Sequence, residues 1–264
     1  MRTQNIHLAY FSATYTTQKI VRAVAQQLGG PIIEHDLTNT QLTEDILLTD
    51  KDLLIVGAPV YAGRIPSLTI SSFNCFKGNN TPAIIIAVYG NREYDDALLE
   101  LKDLTENNCF KPIAAAAFIA QHSIFPQVAT QRPDENDLNK IEAFGQTCAH
   151  LINDIQDLTS LPKLQVKGNY PYKEVGKVPL HPSGNDNCSQ CLTCVDTCPT
   201  HAITKNNPRE TDTDKCISCG RCIVVCPTQA RNFYGAPYET VSQKFIQANS
   251  QRKEPEIFIL SATL

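Results

Sequence analysis

Residues 6–28, "IHLAYFSATYTTQKIVRAVAQQL", decide how the first half of the chain is read. Ile6–Tyr10 is a short apolar run, Phe11–Thr17 is a loop rich in hydroxyls, and Thr16–Leu28 is helix-like. A loop of this kind between a strand and a helix suits a phosphate, because the first amides of a helix and its positive end attract anions. The loop holds no Lys or Arg. Backbone N–H groups, hydroxyls and the helix end would therefore do the binding.

The same alternation continues outward. Pro31–Leu37, Asp52–Ala58, Ala83–Tyr89 and Ile113–Ala120 are further strand candidates, and Ser67–Phe76, Tyr94–Asn107 and Asp134–Ile155 are helix candidates. In the last, Asp134 is the expected N-cap, with Asp137 three residues on. Continuous apolar strands, each followed by a helix, indicate an α/β fold with a parallel sheet covered on both faces. Five such strands fit a doubly wound sheet, with its ligand at the carboxyl ends where the winding reverses.

A chain of 264 residues is long enough for two modest domains. Its formal net charge is −4 and no basic block stands out, which argues against nucleic acid as a partner. The opening "MRTQNIHLAYF" lacks the long apolar core of a signal peptide, and "AIIIAVY" and "IAAAAFIA" are too short to span a bilayer. The expectation is a soluble cytoplasmic protein. Residues 158–187 have no clear period and read as a linker that packs on its neighbours. After them lie a module at 188–230 and a tail at 231–264, in which "YETVSQKFIQANSQ" is helix-like and "EIFIL" strand-like.

Of eleven cysteines, eight fall within residues 188–226; Cys75, Cys109 and Cys148 are scattered and read as small buried hydrophobes. "CSQCLTCVDTCPTHAI" repeats 28 residues later as "CISCGRCIVVCPTQAR". Each half is C-x-x-C-x-x-C-x-x-x-C-P. Three thiolates at this spacing wrap one cubane, and the fourth reaches the other cluster. Cys188, Cys191, Cys194 and Cys226 then bind one 4Fe–4S cluster, and Cys216, Cys219, Cys222 and Cys198 the second. Pro199 and Pro227 end the short helices that carry the fourth ligands. Zinc would prefer pairs of cysteines, and disulfides do not suit a chain without an export signal. The segment resembles the two-cluster bacterial ferredoxins, which implies low-potential, one-electron transfer.

The hydroxyl loop in turn resembles the phosphate loop of flavodoxins, S/T-x-T-G-x-T. Ser12, Thr14, Thr16 and Thr17 align with it, Ala13 lies between, and Tyr15 occupies the glycine position. A left-handed conformation there costs a non-glycine residue roughly 1–2 kcal/mol, and its amide still donates. "GAPVYAGRIP" (57–66) is similar to the second flavin loop, giving Pro59, Val60, Tyr61, Ala62 and Gly63. "VYGNREYDDALLEL" is similar to the third, giving Tyr89, Gly90, Asn91, Arg92 and a stacking Tyr94. The chain has no Trp, so an aromatic wall must come from Tyr. His122, in "AQHSIFP", ends the fifth strand near the same rim.

The whole chain thus resembles the flavodoxin–ferredoxin fusion proteins of anaerobic microbes. The resemblance implies FMN and two 4Fe–4S clusters, and an electron-transfer protein converting between one- and two-electron carriers. The alternatives are an FMN-dependent reductase of a small molecule fed by its own clusters, and a ferredoxin with a flavin-free structural domain. No G-x-G-x-x-G follows a strand, which argues against a Rossmann nicotinamide site. Loaded with its cofactors the protein would carry about −10, favouring basic redox proteins as partners.

Overall fold

The computed structural model describes residues 3–176 and 178–261. Met1 and Arg2 of the expected first domain, Lys177 of the linker and the last three residues of the tail lie outside them. Strands β1 (Asn5–Tyr10), β2 (Ile32–Asp36), β4 (Asp52–Pro59), β6 (Thr81–Tyr89) and β7 (Phe110–Ile119) pair in parallel. Two-residue strands β3 (Ile46–Leu47) and β5 (Phe76–Lys77) form a separate pair beside them. The main order is β2-β1-β4-β6-β7, the doubly wound, flavodoxin-like order with its switch point between β1 and β4. Every residue of β6 and nearly every one of β4 and β7 is buried, which is why their sequences are almost wholly apolar.

Helices α1 (Thr16–Gln26) and α4 (Glu135–Asp154) pack on each other, and α3 (Ala97–Asn107) lies over β6 and β7. Asp134 caps α4 in a full capping box with Asp137, as its sequence predicts. The helix expected over Ser67–Phe76 is shorter. A 3₁₀ turn at Ser67–Thr69 and α2 (Ile70–Phe73) end before Phe76, which instead pairs in β5. The scattered cysteines also differ from expectation. Cys148 is buried, Cys75 is half-buried, and Cys109 is exposed in a left-handed turn entering β7.

The linker is strapped to α3. Asp96 accepts from the amides of Asn169 and Lys173, at 2.8 and 2.7 Å, and Asp103 accepts from the hydroxyls of Tyr170 and Tyr172. The second module follows, closed by β8 (Pro182–Gly184) and β9 (Arg231–Phe233) in an antiparallel pair. Backbone pairing therefore widens it beyond the expected 188–230. Its helices α5 (Thr193–Asp196) and α6 (Arg221–Val224) are single turns.

The tail then returns to the first domain. Helix α7 (Ala236–Ala248) is held by Phe125, whose ring lies 4.4 Å from that of Phe245 and 5.5 Å from that of Tyr238. Strand β10 (Glu256–Ile259) adds to the sheet antiparallel to β7. The second module is thus bracketed at both ends by the sheet domain. Among the described residues no helix is long and apolar enough to cross a membrane.

Candidate redox site

The loop after β1 is built by a left-handed residue. Tyr15 is the N-cap of α1 with φ 65°, the conformation for which glycine is the usual choice. Ser12 is buried, and its hydroxyl accepts from the Gln18 amide at 3.0 Å. Its own amide donates to the Thr38 hydroxyl at 2.8 Å. Ser12 is thus a strut under the loop. The amides of Thr14, Thr16 and Thr17 have no hydrogen-bond partner among the described residues. Three free donors at the start of an 11-residue helix form an anion cradle, and the hydroxyls of Thr14 and Thr16, 3.4 Å apart, stand at its mouth.

A cavity of about 370 Å³ opens from this cradle. Ala13, Thr14, Thr16 and Thr17 line one end; Pro59, Val60, Tyr61 and Ala62 come from the loop after β4; Tyr89, Gly90 and Arg92 from the loop after β6. These three loops sit at the carboxyl ends of β1 and β4, which flank the switch point, and of β6 beside them, where a ligand of this fold is expected. The volume is within the range of cofactor pockets. The residues present therefore fit FMN, phosphate first.

Five of the sequence-predicted residues stand apart from that cavity. Ser12 and Tyr15 have the roles just given. Gly63 (φ 94°) lies against the Asp95 carboxylate, where a Cβ would come within 2.3 Å of an oxygen. Asn91 is buried and ties down the tail, donating to the carbonyls of Asn249 and Gln251 at 2.8 Å each. Tyr94, expected to stack on the ring, has no exposed surface, and its hydroxyl donates to Glu256 at 2.8 Å. It is displaced because the loop turns back through left-handed Asn91 and Asp95, sending the ring into the core beside β10.

Sequence reasoning also missed part of the wall. The strapped linker contributes Lys173, Gly176 and Val178, and α7 contributes Phe245. His122 lines the cavity as expected. Its Nδ1 accepts from the amides of Ile124 and Phe125, at 3.1 and 3.2 Å, which leaves the ring proton on Nε2. Burial, helped by the charge of Arg92, lowers its pKa to about 4, so the imidazole is neutral at pH 7.

The cysteine repeat shows its symmetry in the backbone. Left-handed residues recur 28 positions apart, at Gln190 and Ser218, Leu192 and Gly220, His201 and Gln229. The Cys198 sulfur accepts from the Ala202 amide at 3.3 Å, and the Cys226 sulfur from the Ala230 amide at 3.2 Å. Cys198, Cys216, Cys219 and Cys222 line one small internal cavity, which is the expected second ligand set. In the other set Cys194 is buried, with its sulfur 4.0 Å from the Pro208 carbonyl oxygen. Among the described residues no three His, Cys, Asp or Glu side chains are placed to hold a single metal ion. The sequence spacing of each set, three ligands two residues apart and a fourth from the other half of the repeat, suits a cluster better than zinc.

The two regions meet at the cradle. Cys219 packs with Phe11, Ala13 and Tyr61 in one apolar group. Burial pushes its thiol pKa well up, and pushes the Tyr61 phenol up as well. Arg221 donates to the Ala13 carbonyl at 3.2 Å, and its guanidinium carbon lies 4.4 Å from the centre of the Tyr15 ring. The tyrosine in the glycine position is therefore a platform for an arginine from the cysteine module. The repeat carried the signal for this: Arg221 stands where the first half has Thr193.

This is an α/β sheet domain of flavodoxin-like strand order joined to an iron–sulfur module. Residues 173–231 match the family model of the 4Fe-4S dicluster domain. No curated protein matched the chain. Among solved structures, a flavodoxin from the domain Archaea is similar at 10% identity and TM-score 0.40, covering 57% of this chain and 99% of its own. A WrbA-like flavodoxin from Agrobacterium tumefaciens is similar at 15% identity and TM-score 0.42, covering 57% and 98%. Rubredoxin oxygen:oxidoreductase from Desulfovibrio gigas is similar at 15% identity and TM-score 0.43, covering 58% and 37%. The fold assignment rests on strand order and connectivity.

Proposed function

We propose that the chain transfers electrons between FMN, held in the sheet-domain cavity, and two 4Fe–4S clusters held by Cys188, Cys191, Cys194 and Cys226 and by Cys216, Cys219, Cys222 and Cys198. The observation that carries this reading is the packing of Cys219 against Phe11, Ala13 and Tyr61. One ligand of the second cluster set touches the wall of the flavin cavity. When bound, FMN takes one or two electrons and each cluster takes one. The chain's own part is to hold these carriers at fixed spacing: the free amides of Thr14, Thr16 and Thr17 receive the phosphate, Tyr61 and Val60 bound the ring end, and Lys173, Glu174, Gly176 and Val178 roof it.

Anaerobically purified protein should release about one FMN and contain about eight irons per chain. Reduction of the flavin after fast reduction of the clusters should proceed at a rate independent of protein concentration. A rate proportional to concentration would mean electrons pass between molecules, and the proposal would fall.

A reductase is favoured by one feature. Beyond the flavin loops the cavity continues among His122, Phe125 and Phe245, an aromatic end able to take a small planar acceptor. Screening quinones and nitroaromatics with cluster-reduced protein tests it; turnover no faster than with FMN free in solution would rule it out. Basic redox proteins are the proposed macromolecular partners, reaching the module where Cys191 is exposed. Their reaction should slow as salt rises.

A further inference from the structure

Arg231 opens β9 and is the largest of the fully buried side chains, 2% exposed. Nη1 donates to the Pro208 carbonyl; Nη2 donates to the Pro182 carbonyl at 2.8 Å and to the Thr211 hydroxyl. All three acceptors are neutral. Nε has no partner among the described residues, and no carboxylate there pairs with the guanidinium. A guanidinium stays charged in proteins. Leaving it inside a small module without a counter-charge is strongly unfavourable. Some negative charge must therefore lie close by.

The surroundings identify it. Arg231 has two of its acceptors, Pro182 and Thr211, on the wall of the small cavity shared by Cys198, Cys216, Cys219 and Cys222, and its third, the Pro208 carbonyl oxygen, lies 4.0 Å from the Cys194 sulfur of the first set. Its neighbour Ala230 donates to the Cys226 sulfur. The position also breaks the repeat. Its mate 28 residues earlier is Ile203, which packs with Cys194, Val195 and Cys222 as an ordinary apolar residue. One half of the repeat thus places a hydrocarbon beside the ligands, and the other a cation.

We propose that Arg231 is the counter-charge of the two clusters and raises their reduction potentials, most strongly at the cluster of Cys216, Cys219, Cys222 and Cys198. This rests on the two-cluster ligation proposed above. Four thiolates on an oxidised cubane leave a net negative charge, and adding one electron makes it more negative. A fixed cation nearby favours that step. A second role, tying together the segments around Pro182, Pro208 and Thr211, follows from the hydrogen bonds alone and would not need the charge.

The test uses Arg231→Lys, Arg231→Gln and Arg231→Met in the full chain, with iron content and potentials followed by spectroscopically monitored redox titration. In the Gln and Met variants with full iron, the equilibrium constant for reducing the nearer cluster should fall at least tenfold, a drop of about 59 mV for one electron. The Lys variant should stay within about threefold of wild type. Gln or Met proteins with full iron and unmoved potentials overturn the proposal. If the neutral variants lose iron and the Lys variant keeps it, charge is required and the proposal stands; if the Lys variant also loses iron, the fork geometry is what matters and it falls. Wild-type protein with far fewer than about eight irons would take down the two-cluster reading first, and this inference with it.

Discussion

The two halves of the cysteine repeat share a backbone and differ in what they face. At Leu192 and Gly220 both adopt φ near 64° and 78°, and both then start a single helical turn. Cys194 and its mate Cys222 are buried alike, but the first half leaves Cys191 exposed, whereas in the second its mate Cys219 is buried and the turn is driven against the sheet domain. Gly220 shows the closeness: a Cβ there would lie 3.3 Å from the Ser123 carbonyl oxygen and 3.6 Å from a Thr14 methyl. Arg221 follows, 9% exposed, reaching the cradle. Duplication supplied two equal cysteine frames, and a few side chains made one of them proximal to the sheet-domain cavity and the other distal.

The sharpest way to break this comparison is to remove one ligand from each half. Cys191→Ser and Cys219→Ser should each lower iron, by about half where one cluster is lost and by about one iron in eight where it is converted to a three-iron form. Only Cys219→Ser should also abolish rapid electron passage to the flavin. Equal slowing in both variants would mean the halves are not proximal and distal.

Arg221→Gln should cost about 2 kcal/mol, from a buried charged hydrogen bond and the stacked guanidinium. Denaturant unfolding of the whole chain measures it. A change below about 0.5 kcal/mol, the range of ordinary surface substitutions, would show that the contact with the cradle carries no weight.

The cradle itself separates strut from ligand contact. Ser12→Ala should lower stability by about 1 kcal/mol, as for loss of a helix cap. Thr14→Ala should leave stability near wild type and weaken FMN by about 1–1.5 kcal/mol. Flavin titration and thermal unfolding of the two variants together decide whether the roles are divided in this way.

Tyr15→Gly should have the smallest effect. It relieves left-handed strain of roughly 1 kcal/mol and forfeits a cation–π contact of similar size, so wild type should barely change. In the Arg221→Gln background only the relief remains, and the same substitution should stabilise by about 1 kcal/mol. An identical effect in both backgrounds would uncouple Tyr15 from Arg221.

Strands β1, β4, β6 and β7 were legible because residues buried on both faces must be apolar. The cap of α4 and the cysteine frame were legible because each is a local pattern with a fixed spacing. What the sequence concealed depends on distant partners. Tyr94 and Asn91 lie in a loop similar to a flavin loop, yet both serve the tail, whose arrival no local pattern announces. Arg221 was visible only as a departure from the repeat. Tyr15 departed from the loop's usual glycine, and its partner lay some two hundred residues away. Local chemistry predicts the parts, and the departures from a pattern mark where the parts touch.

Strand β10 has a further consequence, for solubility. Without it, β7 would end the sheet with Ala114–Ala117 open along the register that Ile259–Glu256 now fills. A bare, apolar, uncharged margin of this kind invites pairing with other chains. The opposite margin, β2, is open in the folded protein but carries Glu34, His35 and Asp36, which discourage such pairing. A chain cut after the cluster module would lose more than its tail. It would expose an adhesive rim, and the sheet domain expressed alone should precipitate or self-associate, even though all five of its parallel strands are present.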